Sequence, residues 1–173
     1  MASQEEQEMS SLSESQEKVL SILVASSSLL STLGSFVILF RVAKKGWIKS
    51  TSYDRILCGL SFSDVMLSLS FGLVPFLLPA GSRVWSVGSK GTCAFLGFLG
   101  QWGIGTLWYN GVLAFYYLMT VRFGVRREVF ARRYEPYIHG FILLFQLTTG
   151  FTGLIVGFFG ELGTYMLILY WAC

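Results

Sequence analysis

The sequence predicts an all-α fold, a polytopic transmembrane helix bundle with four spans. Four apolar stretches, at residues 19–42, 56–78, 92–121 and 136–159, each exceed the roughly 20 residues needed to cross a hydrocarbon core. The chain is 53% hydrophobic and 13% charged over 173 residues, whereas soluble domains are roughly 25% charged. Basic residues gather between alternate stretches. A soluble fold of this size has too little interior to hide so much apolar surface, so a lipid bilayer is the partner that suits it. Fifteen Phe, eight Tyr and five Trp fit lipid-facing and interfacial positions. Nineteen Gly fit helices that approach closely in a bilayer.

Residues 1–18 are polar and acidic, with Glu5, Glu6, Glu8, Glu14 and Glu17 against Lys18. They read as a disordered extracellular tail, and without a basic n-region they do not read as a cleavable signal. The first span carries no charge until Arg41. The second is interrupted by Asp64 and Pro75, while the third and fourth contain no charged residue. Buried helices of soluble proteins average about 11–12 residues, and none of these stretches alternates as barrel strands do. Arg41, Lys44, Lys45, Lys49 and Arg55 fill the first loop, and Arg122, Arg126, Arg127, Arg132 and Arg133 the third. The second loop has only Arg83 and Lys90. The positive-inside rule therefore puts the first and third loops in the cytoplasm. The amino terminus is then extracellular or lumenal and, the span number being even, so is the carboxyl end. Residues 160–173 read as an extracellular loop, since Tyr165–Trp171 is too short to cross. A multi-pass protein of the plasma membrane is expected.

Asp64 is the most informative residue. It lies nine or so positions into the second span, roughly 14 Å deep, where an ionised carboxylate costs about 2.5–3.5 kcal/mol. Such a residue is either an ion or proton site or a hydrogen-bonded tie between helices. Ser61 and Ser68 share its face by spacing. Asn110 in the third span lies at comparable depth, so an Asp64–Asn110 contact is expected. Pro75 predicts a kink, with either an outer ligand cavity or simple helix termination as its role; Pro79 marks the helix end. Cys93 and Cys173 both fall on the oxidising side, either bridged or as two thiols, and Cys58 reads as free. The Arg-rich loops read as topology determinants and anionic-lipid contacts. The sharper alternative is a cytoplasmic docking surface formed by Tyr116, Tyr117, Arg122, Arg126 and Arg127. No nucleotide-binding or nucleophile motif is present, and His139 has no acid or thiol cluster in sequence. The expectation is a non-enzyme with no cofactor and no nucleic-acid partner.

Several motifs then combine. Leu60-Ser61-Phe62-Ser63-Asp64 resembles the Leu-Ala-x-x-Asp core of helix two in rhodopsin-like G protein-coupled receptors. Trp85-Ser86-Val87-Gly88, shortly before Cys93, resembles their first outer loop. Gly34 with Val37 resembles helix one, with Ser35 where the usual Asn stands. Tyr116 to Gly124 departs from the Asp-Arg-Tyr signature. It is similar to the helix-three ends of cAMP-receptor-like proteins and of divergent seven-helix proteins of diatoms and other protists. Glu135-Pro136 followed by His139 resembles that group too. Trp171 precedes Cys173 where the second outer loop usually ends in Cys-Trp.

The resemblance implies an outer disulfide between Cys93 and Cys173, Asp64 at the receptor sodium-site position, and Arg122 in a role related to the arginine switch. It implies a receptor for an unknown extracellular ligand, coupled to a heterotrimeric G protein. It also implies seven helices where this chain has four, so the chain reads as a fragment truncated after helix four, or else as a natural short product. The alternative from another class is a four-span membrane subunit or transporter-like protein using Asp64.

Overall fold

A computed structural model describes residues 13–46, 49–78, 80 and 85–156. Its regular elements are helical: α1 (Glu14–Lys45), α2 (Ser52–Leu77), α3 (Lys90–Gly103), α4 (Gly105–Tyr117), a π-helical turn (Leu118–Arg122), α5 (Arg127–Arg133) and α6 (Glu135–Ile155). Among the described residues three helices, α1, α2 and α6, are long and apolar enough to cross a membrane. That is one fewer than the sequence predicts. The difference lies in the stretch 92–121, which is divided at Ile104 into helices of 14 and 13 residues, each too short to cross alone.

The other boundaries differ for local reasons. α1 begins at Glu14, inside the stretch predicted to be a disordered tail. The Ser13 N–H donates to the Gln16 side chain at 3.0 Å, and Glu14 and Lys18 pair one turn apart. Residues 1–12 and the predicted loop 160–173 lie outside the described residues, as does Pro79. α2 starts at a capping box between Thr51 and Asp54. It runs through Pro75 and stops two residues later, so that proline occupies its last turn. α5, in the third loop, is a helix that the sequence pattern does not predict.

The helices run up and down. Ser35, Ser31 and Ser28 of α1 meet Asp64, Ser68 and Gly72 of α2 in that order, so the two are antiparallel. Along the next interface Gly59 meets Tyr109, Ser63 meets Gly105, Leu67 meets Gly103 and Ser70 meets Leu96. α3 and α4 therefore follow α2 as one continuous, antiparallel rod. Ile104 keeps right-handed helical angles (φ −57°, ψ −23°), and its N–H donates to the Gly100 and Gln101 carbonyls. α6 returns along this rod, with Phe151 at Phe98 and His139 at Tyr109.

The burial pattern is inverted relative to a water-soluble bundle. The buried residues of α1 are Ser28, Thr32, Ser35 and Val42, and those of α2 include Ser61, Ser63, Ser68 and Ser70. Leu29, Leu30, Phe36 and Phe40 are more than half exposed. Helices that pack through small and hydroxyl residues and turn Leu and Phe outward are compatible with a multi-pass membrane protein.

The packing at Gly105 has a sharp requirement. A Cβ there would overlap the Gln146 amide and the Ser63 hydroxyl. Gly105→Ala is expected to destabilise the bundle by about 1–3 kcal/mol, read as a lower thermal unfolding midpoint in neutral detergent. Gly111→Ala, where a Cβ meets nothing within 4 Å, is expected to leave the midpoint unchanged or raise it.

Candidate functional site

The polar groups inside the bundle fall into three clusters around α2, two at the level of Ser63 and Asp64 on different sides of the helix and one at its arginine-rich end. The first is built on Asp64, which is half-buried. The Ser35 hydroxyl donates to Asp64 Oδ2 at 2.9 Å and the Ser31 hydroxyl to the same oxygen at 3.2 Å. The Ser68 hydroxyl donates to Ser31 Oγ at 2.9 Å. Ser31 and Ser35 are one turn apart on α1, as are Asp64 and Ser68 on α2, so two short ladders face each other. Of the two serines predicted to share the Asp64 face, Ser68 joins the cluster through Ser31. Ser61 is buried, and its hydroxyl has no partner among the described residues.

The expected Asp64–Asn110 contact is not formed. Asn110 is exposed, and its amide donates to the Thr106 carbonyl in its own helix at 2.9 Å. With Tyr109 at Gly59 and Gly105 at Ser63, Asn110 lies roughly 8 Å from Asp64 along the bundle, so the two differ in depth as well as in facing. Tyr109 rather than Asn110 points into the bundle, at 5% exposure.

The second cluster holds the helix division. The Gln146 amide, on a side chain 2% exposed, donates to the Trp102 carbonyl at 2.8 Å. α6 thereby supplies a donor to a carbonyl beside the break. One turn away Gln101 donates to Thr149 Oγ1 at 2.7 Å. An open cavity of about 690 Å³ lies between the α3–α4 rod and α6, lined chiefly by Ile104, Leu107, Trp108, Phe145 and Thr149.

The third cluster is at the arginine-rich end. Arg55 makes a two-pronged ion pair with Glu135: Nε donates to Oε1, and Nη2 to Oε2 at 2.9 Å. Its Nη1 donates to the Ser50 carbonyl at 2.6 Å. The pair is largely buried, with the Arg55 side chain 16% and the Glu135 side chain 7% exposed. Next to it the Tyr109 hydroxyl lies 2.9 Å from His139 Nδ1, and His139 Nε2 lies 3.9 Å from Glu135. Below these, Phe130 of α5 is fully buried against Phe115, Tyr116 and Tyr134. Tyr117 is exposed and packs on Tyr53, and Arg122, Arg126 and Arg127 are exposed. These four, predicted as a coupling surface, thus share one end of the bundle.

Cys93 is buried at the start of α3. Its predicted pairing with Cys173 lies outside the described residues, because Cys173 does, and Cys58 is a free thiol. Among the described residues no three His, Cys, Asp or Glu side chains converge as a metal site. At Asp64, where the resemblance implies a sodium position, the structure places one carboxylate and the Ser31 and Ser35 hydroxyls. Sequence reasoning missed the Arg55–Glu135 pair and the Gln146 contact. The signal for the pair was present, since both charges sit at span ends on the same predicted side. No family model, no curated protein and no solved structure matches the chain.

Removing one partner of the buried pair leaves the other charge stranded. Arg55→Met is expected to cost about 3–5 kcal/mol, and the double change Arg55→Met with Glu135→Leu markedly less. Reversible unfolding of the three proteins in detergent checks the ordering. A double-mutant cycle of Ser35→Ala with Asp64→Asn should give a coupling of about 0.6–1.7 kcal/mol. The cycle of Asn110→Ala with Asp64→Asn should be additive within about 0.5 kcal/mol.

Proposed function

We propose that the chain is a four-crossing membrane protein built as the first four helices of a rhodopsin-like receptor bundle. In this reading the α3–α4 rod is the third crossing. It senses an extracellular ligand and signals to a G protein through the arginine-rich loops. The observation that carries the reading is the contact of Asp64 with Ser35. It pairs the acid of the helix-two motif with the helix-one position at which the resembled receptors carry Asn. The burial pattern supports the membrane, since hydroxyl interfaces and an apolar exterior suit a medium without hydrogen-bonding partners. The loop before α3 supports the receptor form. Val87 and Gly88 donate backbone bonds to Phe76 and Leu78, and Trp85 stacks on Phe76, so the Trp85-Ser86-Val87-Gly88 motif folds back on the end of α2.

A second reading, a four-span subunit or transporter-like protein, is favoured by the half-buried Asp64 carboxylate among hydroxyls at mid-helix. The two part at the coding sequence and at ion flux. Full-length transcripts are expected to continue in frame past codon 173 with three further apolar segments of about 20 residues each. A stop at that point, with cation flux in proteoliposomes that vanishes in Asp64→Ala, would overturn the receptor reading and favour transport.

A further inference from the structure

The arginine-rich end carries far more positive charge than its own acids engage. Residues 122–135 contain five arginines, and Glu128 and Glu135 are the acids among them. Glu135 is taken by Arg55 from α2. Among the described residues none of Arg122, Arg126, Arg127, Arg132 and Arg133 pairs with a carboxylate, and all five are exposed. At the start of α2 Asp54 is likewise engaged, by Lys45 at the end of α1. What remains is a guanidinium surface whose only unengaged acid is Glu128.

That surface is held in place. Phe130, fully buried under Phe115, Tyr116 and Tyr134, pins α5 to the end of the bundle. At 100° per residue Arg133 and Arg127 lie within about 60° of Phe130 around the helix, while Glu128 points to the opposite side. Arg127 and Arg133 therefore flank the edge of α5 that abuts the bundle, whereas Arg132, about 160° from Phe130, shares the outer side with Glu128. Apolar side chains stand exposed among them: Val121 is 79%, Phe123 64% and Val129 46% exposed. Exposed apolar groups interleaved with guanidinium groups suit the boundary between lipid headgroups and acyl chains better than a water-soluble acidic protein. All five cations being arginine favours phosphate, which a guanidinium grips with two parallel hydrogen bonds.

We infer that α5 and its flanking arginines form a binding surface for the phosphate groups of anionic lipids in the leaflet at this end of the bundle. The inference rests on the membrane reading above. Native mass spectrometry of the full chain, released from mixed micelles of phosphatidylcholine and phosphatidylinositol bisphosphate, measures it directly. The wild type is expected to retain the bisphosphate lipid at least about tenfold over phosphatidylcholine. The variant Arg126→Gln/Arg127→Gln/Arg132→Gln/Arg133→Gln is expected to lose that preference, with its unfolding midpoint unchanged because all four side chains are exposed. A control, Arg41→Gln/Lys44→Gln/Lys49→Gln at the end of α1 and just after it, is expected to change it less than about threefold.

Undiminished retention in the α5 variant overturns the inference. So does full displacement of the lipid by an equal concentration of soluble inositol trisphosphate, which would make the site one for free phosphate. Arginine-dependent capture of an acidic polyglutamate peptide, with no lipid preference, would point to a protein partner instead and also overturn it. Micelles have no sides, so the orientation is tested separately by a glycosylation acceptor inserted after Gly124. Its modification would defeat the assignment of this loop to the cytoplasm without touching the lipid result.

Discussion

Close approach between α2 and its neighbours depends on small side chains at the contacts. Ser28, Ser31 and Ser35 on one side, and Gly103 and Gly105 on the other, let the helix backbones come near enough for hydroxyls and amides to bond across them. In the proposed membrane setting Leu and Phe do not compete for these positions because they gain nothing there: in an apolar medium a Leu is as well placed outside as inside. Packing and interhelical hydrogen bonds then hold the bundle together, where burial of apolar area would do so in water. The central place of α2 follows, since it is the helix with small or hydroxyl residues facing both sides.

The polar clusters divide the labour around that helix. At the arginine-rich end a buried ion pair fixes α2 to the start of α6, and its geometry is two-pronged, which sets direction as well as distance. In the middle, Asp64 accepts from α1. At the same level on another side, Gln146 attends the carbonyl of Trp102 beside the division of the α3–α4 rod. The Ile104 N–H also reaches that carbonyl, so the amide on α6 adds a second donor beside the division. Gly105 is the counterpart of that amide, since any side chain there would displace it.

Much of this was legible in the sequence. Length and apolarity gave α1, α2 and α6, because some twenty consecutive residues of such composition suit a bilayer crossing and little else. The division at Ile104 was not legible, because Gly103 and Gly105 read equally well as packing positions, which they also are. α5 was hidden by its shortness and by arginines that a topology rule had already accounted for; only the lone Phe130 among charges hinted that one face is buried. For the polar sites, hydropathy singled out Asp64 but not its partner. Depth counted from the span ends favoured Asn110, whereas the stripe of Ser28, Ser31 and Ser35 along one face of α1 is the signal that matches what the carboxylate accepts from. The pairing of Arg55 with Glu135 joins the starts of α2 and α6; the sequence puts both charges at span ends on the same predicted side but does not single out which basic residue takes the acid.

The hydroxyl ladder on α1 has a mechanical consequence. α1 packs on α2 and exposes large apolar side chains elsewhere, so its attachment combines close packing with a few hydrogen bonds whose strength depends on the surrounding medium. Where water is excluded, those bonds have no competitor and the helix is clamped. Wherever water penetrates, each hydroxyl and the carboxylate gain an alternative partner, and the same clamp slackens. α1 is thus a hygrometer for its own interface, fastened in proportion to how dry the seam is kept.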